Sequence, residues 1–379
     1  MFATFYKAAC ITKAVFLLKN KEFLAILRFV ESAGEKFYGR DLISRRDFPN
    51  SRLTLRLGAG YNLWRKDKRK EVHPMSQTIP IFFSTDDNYL PYLDVAIRSL
   101  IDNASREYTY KITVLNTGLS EENSRLIMSN REDGFEIELF DISEQLENIK
   151  SRFKNVYHFS VVTYYRLFIA SLFPQYDKVI YLDCDLVVRG DISELYRIDL
   201  KDNILGAAPE EFVQNTREFR DYARIALGVN PDAYVNAGVL LMNLRQFRES
   251  RIEQKFISMI TEYDFDLLDP DQAYLNYLCK DKIHILPNGW NKEPMPVACE
   301  GEKNIVHYAL YKKPWQYDDV EDGEYFWDYA RKSPFYNVIS DRRASFDDTE
   351  KAKKEAAAAQ IIEHARKIVA SDYTFSKML

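Results

Sequence analysis

From about residue 79 onward, short apolar runs alternate with longer amphipathic stretches. Residues 79–83, 111–115, 135–140, 178–182 and 235–242 are apolar and rich in Val, Ile, Leu and Phe, and read as strands. Between the first of them, 89–103 and 120–130 carry helical spacing, the second opening on Ser120 as a cap with Glu122 in its first turn. Strand, helix, strand alternation predicts parallel pairing and a doubly wound α/β sheet, whose ligands bind beyond the carboxyl ends of the strands. Far downstream, 351–369 contains Glu355 followed by four alanines and is helix by propensity alone.

The first 70 residues follow another pattern. Apolar clusters at 14–18 and 23–27 sit among Lys7, Lys13, Lys19, Lys21 and Arg28, which predicts two short amphipathic helices followed by a basic linker ending at Lys70. No apolar run is long enough for a signal peptide core or for the ~20 residues of a bilayer span. The expected organisation is a basic helical appendage over 1–75, a catalytic-size α/β domain over 76–340 and a helical C-terminal extension over 341–379.

Charge sharpens that division. The chain carries 52 Lys+Arg against 57 Asp+Glu, a net −5, but residues 1–70 hold 16 against 6, or +10, so the remainder holds 36 against 51, or −15. The basic segment is either a solvated appendage or an anchor on an anionic membrane surface, which rewards clustered Lys and Arg by about 1 kcal/mol each. The protein is expected to be cytoplasmic, soluble or peripheral at the inner face of the membrane, with no nucleic-acid partner.

Composition bounds the class. With 379 residues and 46% hydrophobic content the chain is globular, large enough for one big domain with appendages or two modest ones. Cys10, Cys184, Cys279 and Cys299 match no metal-binding spacing, and five His cannot build a zinc cluster, so a reducing compartment without a structural metal is expected.

The most informative stretch runs from Tyr176 through Asp183-Cys184-Asp185. An apolar strand leads into two carboxylates at i and i+2, which a continued strand would place on one face about 6.6 Å apart. Such a pair suits a hard divalent ion, Mg²⁺ or Mn²⁺, which in turn can neutralise a diphosphate. Asp-x-Asp after a strand also opens haloacid-dehalogenase-like phosphatases, but there it lies on the first strand of the core. Here three strands precede it, and Asp318-Asp319 and Asp347-Asp348 follow no apolar strand.

Six segments in order enlarge the picture: Phe83-Ser-Thr-Asp86-Asp-Asn88-Tyr89, Tyr165-Arg166, Tyr181-Leu-Asp183-Cys-Asp185, Val235-Asn236-Ala-Gly238-Val-Leu, Asp271-Gln272, and His307 followed by Lys313-Pro-Trp315. In this order the chain resembles glycosyltransferase family 8 from about residue 79 to 335. The resemblance implies a GT-A fold, a Rossmann-like and mostly parallel doubly wound sheet, and a retaining, metal-dependent hexosyltransferase using UDP-glucose or UDP-galactose.

By similarity, Asp86, Asn88 and Tyr89 would hold the nucleoside, with Tyr89 stacked on the uracil. Asp86 could also cap the helix that starts there, and Tyr89 could pack in its first turn. Arg166, Asn236 and Asp271 would contact the donor sugar, and Asp183, Asp185 and His307 would ligate the ion. Lys313 would add charge to the departing diphosphate, and Gln272 would stabilise the reacting sugar carbon from its β-face. The resemblance implies a glycan, glycolipid or glycoprotein acceptor, of the kind found in bacterial cell-surface glycan and lipopolysaccharide synthesis.

One departure stands out. Where the family has a glycine before the Lys-Pro-Trp segment, this chain has Leu310. Leucine makes a left-handed backbone costly, so the loop is expected either to bend differently or to bind diphosphate less well. That substitution is what favours the rival reading, a sugar-nucleotide-binding scaffold with weak catalysis.

Overall fold

The computed structural model describes residues 77–147, 149–153 and 161–379, so the expectations for residues 1–70 fall outside the described part. Nine strands are described there: β1 (Thr78–Ser84), β2 (Thr109–Asn116), β3 (Phe135–Asp141), β4 (Lys178–Leu182), β5 (Leu186–Val188), β6 (Leu205–Pro209), β7 (Val235–Asn243), β8 (Ile283–Ile285) and β9 (Ile305–His307). Helices that matter below are α1 (Leu90–Asn103), α2 (Glu121–Met128), α3 (Pro270–Cys279), α4 (Gly323–Ala330), α5 (Tyr336–Ala344) and α6 (Asp348–Ala370).

Seven strands form one sheet in the order β3-β2-β1-β4-β7-β6-β8. All neighbours are parallel except β7, which runs against both β4 and β6. Since eight of its nine residues are buried, β7 is a central strand covered on both faces, which explains its near-continuous apolar sequence. Period-2 alternation splits the core in two. Phe82, Tyr181, Leu240 and Met242 face one side, while Ile81, Phe83, Ile180, Leu182, Val239 and Leu241 face the other.

Helices cover both faces. α1 presents Leu90, Leu93, Ile97 and Leu100, at helical spacing, to the second face, where α4 joins it through Phe326. α3 and α6 cover the first face through Ala273, Tyr274, Ala365 and Ile368. The predicted cap of α2 is present, with Ser120 Oγ accepting from Asn123 N.

The chain winds outward through β1, β2 and β3 and then returns to β4 on the other side of β1. The carboxyl ends of β1 and β4 therefore flank the point where winding direction reverses, the place where doubly wound sheets open a crevice. Cys184 ties the two ends together by donating to Ser84 O at 3.1 Å.

The C-terminal helices are packed into this arrangement. α5 spans the expected boundary at 340, and its Arg342 donates to Tyr92 Oη at 3.2 Å and to Asn88 O. α6, capped by Asp347, reaches over the first face, and Phe375 beyond it is buried in that core. No helix among the described residues is long and apolar enough to cross a membrane.

Candidate active site

The crevice at the switch point is a cleft of about 350 Å³, and all eleven residues singled out from the sequence line it: Asp86, Asn88, Tyr89, Arg166, Asp183, Asp185, Asn236, Asp271, Gln272, His307 and Lys313. They come from the ends of β1, β4, β7 and β9, from the 3-10 segment Val161–Phe168, from α3 and from the loop after β9, so the fold gathers positions spread over more than half the chain.

The carboxylate pair is arranged differently from the continued strand expected for it. β4 stops at Leu182, and Asp183 to Asp185 form a bend before β5. Convergence comes from a second, two-stranded sheet instead. β5 pairs antiparallel with β9 in a register that sets Leu186 opposite His307, and Tyr308 N donates to Asp185 O at 2.9 Å. Asp183, Asp185 and His307 thereby offer one ligand atom each, all within 4.8 Å of one another.

Two observations test this set as a metal site. The first is the donor chemistry: two carboxylates and an imidazole suit a divalent ion of the Mn²⁺ type. The second is a cradle. A Cβ added to Gly238 on β7 would lie 2.2 Å from His307 Cε1 and 2.8 Å from Asp183 Oδ2, so only glycine lets these ligands approach the strand. The residues present fit the ion.

Hydrogen bonds orient the imidazole. His307 Nδ1 lies 2.8 Å from Asn291 Oδ1, an acceptor, so Nδ1 carries a proton, and Nε2 faces Asp185 Oδ1 at 3.1 Å, on the side where an ion would be shared. Asn291, which the sequence pattern did not single out, is itself anchored by donating to Asn236 Oδ1. It follows Trp290 in an irregular loop, where no periodicity marks it.

Lys313 Nζ sits 2.5 Å from Asp185 Oδ2 and also donates to Tyr308 O. Burial alone would raise the Asp185 carboxyl, but the neighbouring Lys313 and His307 outweigh it and hold the carboxyl far below the usual range. Arg166 is buried and faces protein: it donates to Thr163 O, to Ala237 O and, at 2.8 Å, to Asp183 Oδ1, and its Nε lies 3.0 Å from Asp271 Oδ2. Its guanidinium thus braces two site carboxylates from behind. Burial raises the Asp271 carboxyl, and Arg166 opposes that rise.

At the other end, Asp86 Oδ1 accepts from Asn88 N at 3.0 Å and Tyr89 N at 2.9 Å, which closes the turn leading into α1; the helix itself begins after Tyr89 with no side-chain cap, so Asp86 is not its cap. Tyr89 meets Tyr92 edge-on at 5.4 Å, and Tyr92 stacks on Trp315 at 3.7 Å, which makes Trp315 a core residue. The loop carrying Leu310 keeps the left-handed conformation: Leu310 has φ +63°. The backbone has not bent away, and the leucine bears a cost of roughly 1–2 kcal/mol.

Sequence reading also missed Glu210 and Asp269. Both line the cleft, in loops after the unrecognised short strand β6 and before α3. α6 contributes Ala358 and Ile361 to the same wall.

Comparison with known proteins agrees with this architecture. Residues 80–319, more than half of the chain, match the profile of glycosyl transferase family 8. A Haemophilus influenzae protein assigned to the glycosyltransferases is 30% identical over 249 residues, 63% of this chain and 74% of that one. The lipopolysaccharide 1,2-glucosyltransferase of Escherichia coli is 25% identical over 292 residues, 72% of this chain and 84% of that one. Among solved structures, the galactosyltransferase LgtC, in complex with donor and acceptor sugar analogues, superimposes with a TM-score of 0.57 at 27% identity, over 68% of this chain and 96% of that one. A two-faced sheet with its cleft at the β1/β4 switch point is the GT-A arrangement of a glycosyltransferase. The chain belongs to glycosyltransferase family 8, and the phosphatase alternative is set aside.

Proposed function

We propose that the chain moves glucose or galactose from a UDP-sugar to a glycan, glycolipid or glycoprotein acceptor, with retention of the α-configuration. The observation that carries this reading is the convergence of Asp183, Asp185 and His307 within 4.8 Å on a cleft that also holds Asp86, Tyr89, Gln272 and Lys313. A Mn²⁺-type ion held by the triad would supply Lewis-acid stabilisation to the departing diphosphate. Lys313 adds positive charge beside it. Asp86, Asn88 and Tyr89 hold the nucleoside, and Asn236, Asp271 and Arg166 form the sugar end, Arg166 chiefly by fixing Asp183 and Asp271.

Gln272 presents an amide, a poor covalent nucleophile, and its oxygen can stabilise positive charge developing at the sugar carbon while the acceptor attacks from the leaving-group side. Likeness to a galactosyltransferase and to a lipopolysaccharide glucosyltransferase supports a hexose donor and a cell-surface acceptor. Residues 1–70, with their +10 charge, would deliver the enzyme to an anionic membrane surface where such acceptors reside.

A panel of UDP-, GDP- and TDP-hexoses with Mn²⁺, read as nucleotide release, tests the reading. UDP release that stops in EDTA and returns with Mn²⁺ is expected; release indifferent to metal overturns it. The Leu310 backbone favours one rival, a sugar-nucleotide binder without turnover, and that rival predicts calorimetric UDP binding with no release from any donor.

A further inference from the structure

Gln272 is held by three neighbours. Its Oε1 accepts from Ala237 N at 2.9 Å, and its Nε2 donates to Asp269 Oδ2 at 2.9 Å and to Glu210 Oε2 at 3.2 Å. A side-chain amide can be turned end for end with little change of shape, so its neighbours decide which end carries oxygen. Turning this one would set oxygen against two carboxylates and NH₂ against a backbone N–H. Three contacts would become repulsive at once.

Building on the transferase reading above, we propose that Asp269 is a positioning residue: together with Glu210 it takes both amide N–H groups of Gln272 and so fixes the end of the side chain that carries the oxygen. Asp269 sits just before α3 and two residues ahead of the recognisable Asp271-Gln272 pair. Its own placement is determined by two buried phenols, Tyr222 Oη donating to Oδ1 at 3.0 Å and Tyr234 Oη donating to Oδ2 at 2.5 Å. Tyr222 is held in turn, accepting from Leu268 N. The carboxylate is also the acceptor for both of these buried phenol hydroxyls, so an apolar residue here would leave two donors unpaired as well as release the Gln272 amide.

The groups facing Asp269 are Tyr222 from the segment after residue 221, Tyr234 from the loop before β7, Glu210 from the loop after β6, and Gln272 on its own helix. Burial pushes the carboxyl up to about 7; the Tyr234, Gln272 and Tyr222 donors lower it and the Glu210 charge raises it further. Protonation removes the negative charge to which Gln272 Nε2 donates, so below that pH the hold on the amide weakens.

The test uses the full chain labelled with ¹⁵N-glutamine, the Gln272 side-chain NH₂ signals being assigned by their loss in Gln272→Met. Those signals should titrate with a midpoint near 7 in the wild type, stay flat in Asp269→Asn, and titrate at higher pH in Tyr234→Phe, which removes a donor to the carboxylate. With UDP-hexose and Mn²⁺, Asp269→Asn should lower kcat by about 10- to 100-fold while the donor KM stays within about 2-fold. A Gln272 amide that ignores pH in the wild type, or a kcat unchanged by Asp269→Asn, overturns the proposal. Should Asp269→Asn fail to fold, the Tyr234→Phe shift decides. Should the wild type release no UDP, the transferase reading fails while the amide titration still tests the positioning role.

Discussion

Gly238 lies so close beneath His307 that a methyl group there would fall 2.2 Å from the imidazole Cε1 and 2.9 Å from Nδ1. The glycine is part of the metal site although it ligates nothing. It sits on β7 beside the end of β4, where Asp183 N donates to Gly238 O at 2.7 Å, so the strand cannot move away to make room.

Gly238→Ala should therefore displace His307 or Asp183 and weaken Mn²⁺ binding by about 10- to 100-fold, the loss typical when groups that orient ligands are disturbed. Overpacking should also cost about 1–3 kcal/mol of stability. Calorimetric titration with Mn²⁺ checks the first, and urea unfolding the second. Unchanged affinity would mean that His307 does not ligate.

Leu310 offers a cleaner measurement of backbone strain. At φ +63°, alanine and leucine bear the same left-handed penalty and glycine does not. Comparing Leu310→Gly with Leu310→Ala removes the side chain in both and isolates that penalty. The glycine variant should be the more stable by about 1 kcal/mol after its extra unfolded-state entropy is counted. If the strain also limits diphosphate binding, UDP should bind more tightly to the glycine variant, as read by calorimetry.

How much of this could be seen beforehand depended on signal length. β1 to β4 and β7 were legible because each is a run of buried apolar residues, and α1 and α2 because their spacing and the Ser120 cap are local. β5, β8 and β9 are only three residues each, and β6, with Gly206, two alanines and Pro209 behind Leu205, lacks the branched and aromatic residues that mark a strand. The antiparallel direction of β7 has no local signature, since pairing is decided by the path of the intervening chain. Site residues within continuous motifs are named from the sequence; Asn291, Glu210 and Asp269 are not, because each acts through hydrogen bonds to other side chains, made from an irregular loop that carries no periodic pattern.

Asp185 is more tightly embedded than a surface ligand would be. Its carboxylate meets Lys313 at 2.5 Å and His307 at 3.1 Å, and the side chain is 12% exposed. Asp185→Asn should abolish metal-dependent turnover and also leave the Lys313 cation buried without its counter-charge, which costs about 3–5 kcal/mol when a buried pair is broken. The native pKa is depressed, so this contribution is present above the unfolded-state value of about 3.9 and is lost as pH falls below it. Acid unfolding should begin at a higher midpoint in the asparagine variant at matched denaturant, and equal acid profiles would contradict the pairing.

Asp269 has the opposite linkage. Its carboxyl is raised to about 7 by burial, so the folded chain holds a proton that the unfolded chain releases near 3.9. Its contribution is complete below about pH 4 and is lost as pH climbs through 7, a decline of a few kcal/mol. Urea unfolding between those limits should show stability falling with rising pH in the wild type, and a flatter dependence in Asp269→Asn. A slope shared by both proteins would place the titration elsewhere.

The last prediction concerns α6. Propensity alone predicts this alanine-rich helix, yet it is also packed: Ala365 and Ile368 are buried against the first face of the sheet, and Phe375 beyond it packs edge-on with Phe265 at 4.7 Å. Its Ala358 and Ile361 line the cleft, and Lys354 donates to Gln316 Oε1 close enough to Lys313 that burial and that neighbouring charge lower its pKa to about 8. Removing residues 348–379 would expose these apolar contacts and open one wall of the cleft. The shortened chain should melt at lower temperature and show increased binding of a hydrophobic dye. Ile361→Ala is milder, and because Ile361 is only partly buried it should cost less than the 2–5 kcal/mol of a core isoleucine. If α6 forms part of the acceptor side of the cleft, Ile361→Ala should raise the acceptor KM while leaving UDP affinity unchanged. Steady-state kinetics with varied acceptor, beside calorimetry with UDP, separates the two, and a variant with wild-type KM would assign α6 a purely structural role.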